Sequence, residues 1–373
     1  MRQKKSYGAI DNFRLAAALL IVAIHTAPLA SFSPTVDFLV TYCFGRVAVP
    51  FFFLVTGFFV LAPYQRAAGR LAALGGNRQS AEYTSAARKN RQIAWRSSGS
   101  QENASQKVWK FLKKTAILYA VATILYFPIK IYSKQLGRGL GDWLKEVFFD
   151  GTFYHLWYLP AVLLGCLLLL GLMKICRPPL ISAVTVVLYL IGVLGDSYYG
   201  LVSQSHFLES VYNGIFSISS YTRNGIFFAP VFLWLGVVIA NGRIRMPRQQ
   251  AFTGFLVSLA GMLGEGFLSY KLEWQKHNSM YLMLLPVMLF LFVWLLSLEW
   301  ESFEMARDCS MCIYIIHPLC IILVRGAAAA IKMTKVFVEQ SLIHYLSVCT
   351  ASAALSLAIA YGMRWIKEKR EFF

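Results

Sequence analysis

Asp11, Arg14 and His25 lie in the first hydrophobic stretch, DNFRLAAALLIVAIH, and are the residues there with the means to do chemistry. At 100° per helical residue, eleven steps bring Arg14 to within about 20° of the direction of His25, and about 16 Å along the axis. Asp11 and Arg14 lie three apart and share that face. Arg14, Ala18, Ile21 and His25 therefore form one stripe of one helix. A cation near one end and a titratable ring deep in an apolar helix suit a long substrate. Ionisable groups inside a membrane are rare and line a cavity or a partner helix. The plainer alternative is a packing histidine with an arginine at the membrane edge.

The composition says what such a helix sits in. The chain has 373 residues, 57% hydrophobic and only 14% charged, with a mean hydropathy of +0.55. That is a polytopic, all-α membrane protein, not a soluble one. Its net charge of +18 needs no nucleic-acid partner, because basic loops kept on the cytosolic side give the same excess. The seven cysteines lie mostly in or beside apolar runs without a pairing pattern, which argues against a disulfide framework. Cys309 and Cys312 make one CxxC with no second pair and no histidine at zinc spacing, so no metal site is expected. A cleavable signal peptide is not expected either, since the first helix carries Asp11 and Arg14 and is too long and too polar at its start.

About ten transmembrane helices are expected, at 9–30, 38–62, 108–132, 155–175, 179–195, 222–241, 249–270, 279–298, 309–328 and 336–363. With the N-terminus inside, cytosolic segments hold 24 lysines and arginines and outer loops hold 9, which places both termini in the cytosol. The 130–150 loop goes against this bias. The stretch at about 65–107 is rich in Ala, Gly, Ser, Asn, Gln and Arg, and reads as a mobile basic cytosolic loop within a single domain of residues 1–373. From Gln65 to Lys114 it carries 11 basic residues against 2 acidic. That excess is read as a topology signal that also touches anionic lipid, in preference to a dock for a phosphate-rich ligand. GRGLGD at 137–142 follows no strand and is not a dinucleotide fingerprint.

Four more stretches place polar groups in or beside helices. Arg46 stands in the second, FGRVAVPFFFLVTGFF, where Pro50 is expected to kink the helix and Gly57 to allow close packing. An arginine there needs a carboxylate, carbonyls or a wet cavity. TFYHLWYLP places His155, Trp157 and Tyr158 at the outer start of the fourth helix; an interfacial aromatic belt accounts for Trp157 and Tyr158, less well for His155. YTRNGIFFAP sets Arg223 and Asn224 at the start of the sixth, where the arginine either holds an anion or snorkels. SMCIYIIHPL buries His317 near mid-helix beside Pro318.

At these residues the chain resembles the acyltransferase-3 membrane proteins. Arg14, ten residues, then His25 is similar to their first-helix signature. RVAVPFFFLVTGFF is similar to their second-helix pattern, with Thr56 where many members carry serine. The likeness is strongest to one branch, the membrane half of the vancomycin-resistance serine racemases, through GAIDNFRLAAALLIVAIH, RVAVPFFF, YHLWYLPA, GDSYYG, TRNGIFFAP and KHNSMYL. Two departures stand out. Those racemases continue into a cytosolic pyridoxal-phosphate domain, whereas this chain ends at Phe373, so no racemase activity carries over and a racemase would be a separate partner. The 65–106 stretch also resembles an insertion.

The resemblance implies a ten-helix bundle in the bacterial cell membrane that passes an acyl group, usually acetyl from acetyl-CoA, to a hydroxyl. No bound cofactor or metal is implied; acetyl-CoA is the donor substrate. Arg14 and Arg46 would hold anionic parts of the donor, His25 would be general base or acyl carrier, and Asp11 would orient Arg14. The acceptor would be a small molecule or a cell-envelope hydroxyl, with serine among the candidates. The alternative is an L-serine binding or uptake module. There Arg223 or Arg46 would take the carboxylate, and Tyr158, Asn224 or a carboxylate the ammonium or hydroxyl. A carrier normally shows an internal repeat, and none is visible.

Overall fold

The computed structural model describes residues 7–76, 85–134 and 139–371, which are helical and without strands. The main helices are α1 (Gly8–Thr26), α2 (Pro34–Gly69), α3 (Gln101–Tyr132), α4 (Tyr158–Ile175), α5 (Pro178–Leu194), α6 (His206–Ile218), α7 (Ala229–Ala240), α8 (Arg248–Lys271), α9 (Leu284–Leu296), α10 (Ala306–Ala330) and α11 (Ser341–Ile366). Among the described residues, seven of them are long and apolar enough to cross a membrane: α1, α2, α3, α4, α8, α10 and α11. The apolar helices α5, α7 and α9 are shorter, at 17, 12 and 13 residues. The chain is thus a multi-pass membrane protein.

Three features depart from the pattern read in the sequence. Helix extends through Gly76 and resumes at Ser85, so much of the stretch expected as a loop at about 65–107 is helical; residues 77–84 lie outside the described residues. Amphipathic α6 fills a stretch read as a loop, because its polar face masks it in a search for spans. The helix expected at 222–241 begins only at Ala229, which leaves Arg223 and Asn224 in the turn before it.

The chain divides into two compact units, Met1–Phe52 with Asp196–Gln204 and Met246–Phe373, and Phe53–Gly195 with Ser205–Arg245. In the first, α10 lies against α1 and α11, and α8 against α9. Met305, Cys309 and Ala360 are buried together, with Leu15 and Leu357 packed against them. Cys309 of the CxxC is therefore a core residue where three helices meet. At the start of α1, a side chain on Gly8 would run into the Trp300 carbonyl, so the helix entry sits directly on the 300–303 backbone. At its end, Ala27 turns into the left-handed region (φ 49°) just before Pro28. Proline disfavours α geometry in the residue before it, which stops the helix right after His25 and Thr26.

In the second unit the backbones of α2 and α7 touch. A side chain on Gly57 would meet the Leu233 carbonyl, and one on Gly236 would meet Leu54 and Phe58. The expected role of Gly57 is therefore met, and α7 supplies its counterpart. Two of the four basic residues in the 130–150 segment have local partners: buried Lys130 pairs with Glu146, and Lys145 donates to the Phe216 carbonyl at 2.8 Å.

Candidate functional site

The α1 stripe forms as its spacing requires. Ala18 and Ile21 are buried, while Arg14 and His25 at its ends are partly exposed. Asp11 holds the upper end. Its carboxylate lies 3.3 Å from Arg14 Nε and accepts a bidentate pair from Arg307 of α10, Nε at 2.9 Å and Nη2 at 2.7 Å. Ser302 Oγ donates to it as well, at 3.2 Å. The neighbouring Asn12 donates to the Glu301 carbonyl and accepts from the Phe303 amide. Asp11 and Arg14 do share a face and lie in ion-pair range, but the fork partner of Asp11 is Arg307. Sequence reading had no signal for that contact, because 296 residues separate the two.

At the lower end, His25 meets His317 of α10. The rings stack with centroids 5.2 Å apart and planes at 22°. His317 is fully buried, and its Nδ1 lies 3.1 Å from the Ile313 carbonyl and 3.0 Å from the Tyr314 carbonyl. The turn after α1 is fastened by Ser341 of α11. Its hydroxyl donates to the Pro28 carbonyl at 2.8 Å and accepts from the Ser31 amide. Leu29 N donates to Asp37, which completes the fastening. These bonds tie down the turn that follows His25 and Thr26.

Arg46 belongs to a second polar centre in the same unit. The helix around it is not regular: Phe38–Cys43 winds as π-helix and Phe44–Val47 as 3-10 helix, with α geometry from Ala48. Both windings come ahead of Pro50. Arg46 donates to Asn278 Oδ1 at 3.0 Å and lies 5.1 Å from the Tyr42 ring centre. Its electrostatic neighbours include Tyr281 and Asp196. Asp196 is fully buried; its Oδ1 accepts from the amides of Ser279 at 2.6 Å and Met280 at 3.0 Å. Its own carbonyl accepts from the amides of Lys276 and His277. The GDSYYG and KHNSMYL segments are therefore one knot, with Asp196 as its tie. Beside it, Glu265 accepts from Tyr198 and from the amides of Leu282 and Met283. Burial, then the adjacent carboxylate, pushes the Tyr198 hydroxyl above the usual tyrosine range.

The other expected site residues lie in the second unit. His155 is buried among the rings of Tyr126, Phe153 and Tyr154, with centroids at 4.9–5.7 Å. Arg223 lies over Tyr221 at 4.2 Å and Trp157 at 5.1 Å, an aromatic seat for its cation. Tyr158 is buried in the first turn of α4 and packs on Phe53. Asn224 has a structural occupation. Its amide donates to Ser219 Oγ and the Tyr221 carbonyl, and its oxygen accepts from the amides of Ile226 and Phe227. All four of its hydrogen-bonding positions are thereby used inside the turn, so it shapes the loop that carries Arg223. Asp150 ties the same turn through Ser219 and Ser220.

A membrane protein with a polar stripe inside a helical unit is the class these observations define. The chain belongs to the acyltransferase-3 family: the model of that acyltransferase domain matches residues 7–361. Two Enterococcus faecalis proteins named amino-acid racemase are similar to it. One is 36% identical over 375 residues, covering 99% of this chain and 47% of the relative; the other is 35% identical over 378 residues, with 99% and 48% covered. A serine/alanine racemase of Enterococcus gallinarum is 33% identical over 370 residues, 98% of this chain and 46% of that protein. The chain spans about half the length of the curated relatives it matches. No solved structure matches it.

Proposed function

We propose that the protein moves an acyl group, acetyl in the simplest case, from acyl-CoA to a hydroxyl. The single observation that carries this reading is the α1 stripe in a member of an acyltransferase family: an arginine in ion-pair range of Asp11 at one end and two stacked histidines at the other. In this reading ten helices cross the bacterial cytoplasmic membrane, both termini are cytosolic, and residues 1–373 act as one domain. Arg14, with Arg46, holds the anionic part of the donor, and the pantetheine arm reaches down the stripe towards His25. Neutral His25 takes the proton of the acceptor hydroxyl. The oxygen bonds to the thioester carbon, the carbon–sulfur bond breaks, and the thiolate leaves as free CoA once it regains that proton. Alternatively, His25 takes the acyl group itself and hands it on. The acceptor is a small molecule or a cell-envelope hydroxyl. No cofactor stays bound, and the surrounding partner is lipid.

The test is CoA release from acetyl-CoA by purified protein in liposomes, with His25→Ala beside it. Release by the wild type and not by the variant supports the reading. Equal release by both removes His25 from the mechanism. Hydroxylamine trapping of an acyl-imidazole separates carrier from base.

A second reading has its own observation, the half-buried Arg46 and the buried Asp196 within one polar centre. An amino acid carries the complementary pair of charges, and one relative is named a serine/alanine racemase. In this reading the membrane domain binds L-serine for a racemase that acts as a partner. Thermal stabilisation decides between the two: acetyl-CoA stabilises an acyltransferase, and L-serine a serine module.

A further inference from the structure

His317 and Pro318 stand side by side in the middle of α10. In an α-helix each carbonyl accepts from the amide four residues on. Proline has no amide hydrogen, so the Tyr314 carbonyl receives nothing from Pro318. His317 Nδ1 lies 3.0 Å from that same carbonyl and 3.1 Å from the Ile313 carbonyl. A carbonyl oxygen only accepts. Nδ1 must therefore carry the hydrogen, and in the neutral ring Nε2 carries the lone pair. The proline creates the acceptor that selects the tautomer, and it does so through the backbone. The ring so fixed is fully buried, and its face lies against His25 at 5.2 Å.

We propose that His317–Pro318 is a tautomer lock and that His317 is a positioning residue for His25. A ring held at Nδ1 by two carbonyls neither flips nor changes tautomer, so the surface on which His25 rests is constant. The kinetic part of this rests on the acyl-transfer reading; the lock itself does not.

The experiment uses the full chain in liposomes with 15N-labelled histidine. The protein has six histidines, and His317→Gln identifies the signals of His317 by difference. The expected spectrum shows a protonated Nδ1 and an unprotonated Nε2 at His317. Pro318→Ala returns an amide to the Tyr314 carbonyl and leaves the Ile313 carbonyl to Nδ1–H, so the Nε2-protonated tautomer of His317 gains population. His317→Asn places an amide N–H where Nδ1–H was and removes the ring under His25. It lowers kcat for CoA release about 100-fold, the low end of what a proton-transfer group contributes, with KM for acetyl-CoA within about twofold. A wild-type spectrum with protonated Nε2 at His317 overturns the lock. A folded His317→Asn protein with kcat within about twofold of wild type overturns the positioning role. If the wild type releases no CoA, the acyl-transfer reading fails alone, and the spectrum still decides the lock.

Discussion

The two ends of α1 are both polar, yet they are built in opposite ways. At the upper end Asp11 is 3% exposed and engages two arginines and a serine. Its oxygens are saturated by charge-assisted bonds, and such a cluster fixes geometry. At the lower end the contacts are ring on ring, and ring nitrogen on backbone carbonyl. These contacts are made through a ring face and the backbone, where the upper end is made through ionised side chains. One end of the helix is clamped by charges, and the other, in the proposed acyl transfer, is the end that reacts.

The largest expected effect follows from that contrast. His25→Ala lowers CoA release by at least about 100-fold while the unfolding temperature stays near wild type, since a general base contributes about 10²–10⁴. Asp11→Ala is expected to act on stability as well as on donor binding. It leaves the two arginines without their carboxylate and destabilises the protein by about 2 kcal/mol, within the range for hydrogen bonds to charged groups. Thermal unfolding in detergent measures this, and Asp11→Ala with unchanged stability would show that the clamp holds nothing. Asn224→Ala probes the second unit in the same way. Four hydrogen bonds disappear from one turn, with an expected loss of about 1–3 kcal/mol. Asn224→Asp keeps the two acceptor bonds to Ile226 and Phe227, and should recover part of the loss.

How much of this was legible depended on the distance along the chain. The stripe and the Asp11–Arg14 contact could be read because helical period fixes neighbours three, four and eleven residues apart. The partners that give the stripe its character could not. Arg307 and His317 reach α1 across almost the whole chain, and nothing local in α10 marks them beyond the His-Pro pair. The knot tied by Asp196 was visible only as two stretches, GDSYYG and KHNSMYL, that fitted a family likeness and had no assigned role. The bonds Asn224 makes within its own turn were not legible, for a physical reason. Next to an arginine it looked like a ligand, but an asparagine before a helix tends to bond its own backbone. The π and 3-10 windings before Arg46 left no compositional trace at all.

The smallest effect sharpens the comparison most. Arg307→Lys keeps the positive charge beside Asp11 but replaces a planar fork with a point charge. Arg307 side-chain exposure is 65%, so solvent screens much of its attraction, and the loss should be at most about 1 kcal/mol. If the upper end of α1 only holds the helix in place, this small loss leaves CoA release unchanged. If the fork also sets the direction of Arg14 through the shared carboxylate, KM for acetyl-CoA rises while kcat does not. A rise in KM without loss of stability would therefore assign the clamp to donor positioning. Loss of stability without a rise in KM would leave Arg14 to be aimed by Asp11 alone.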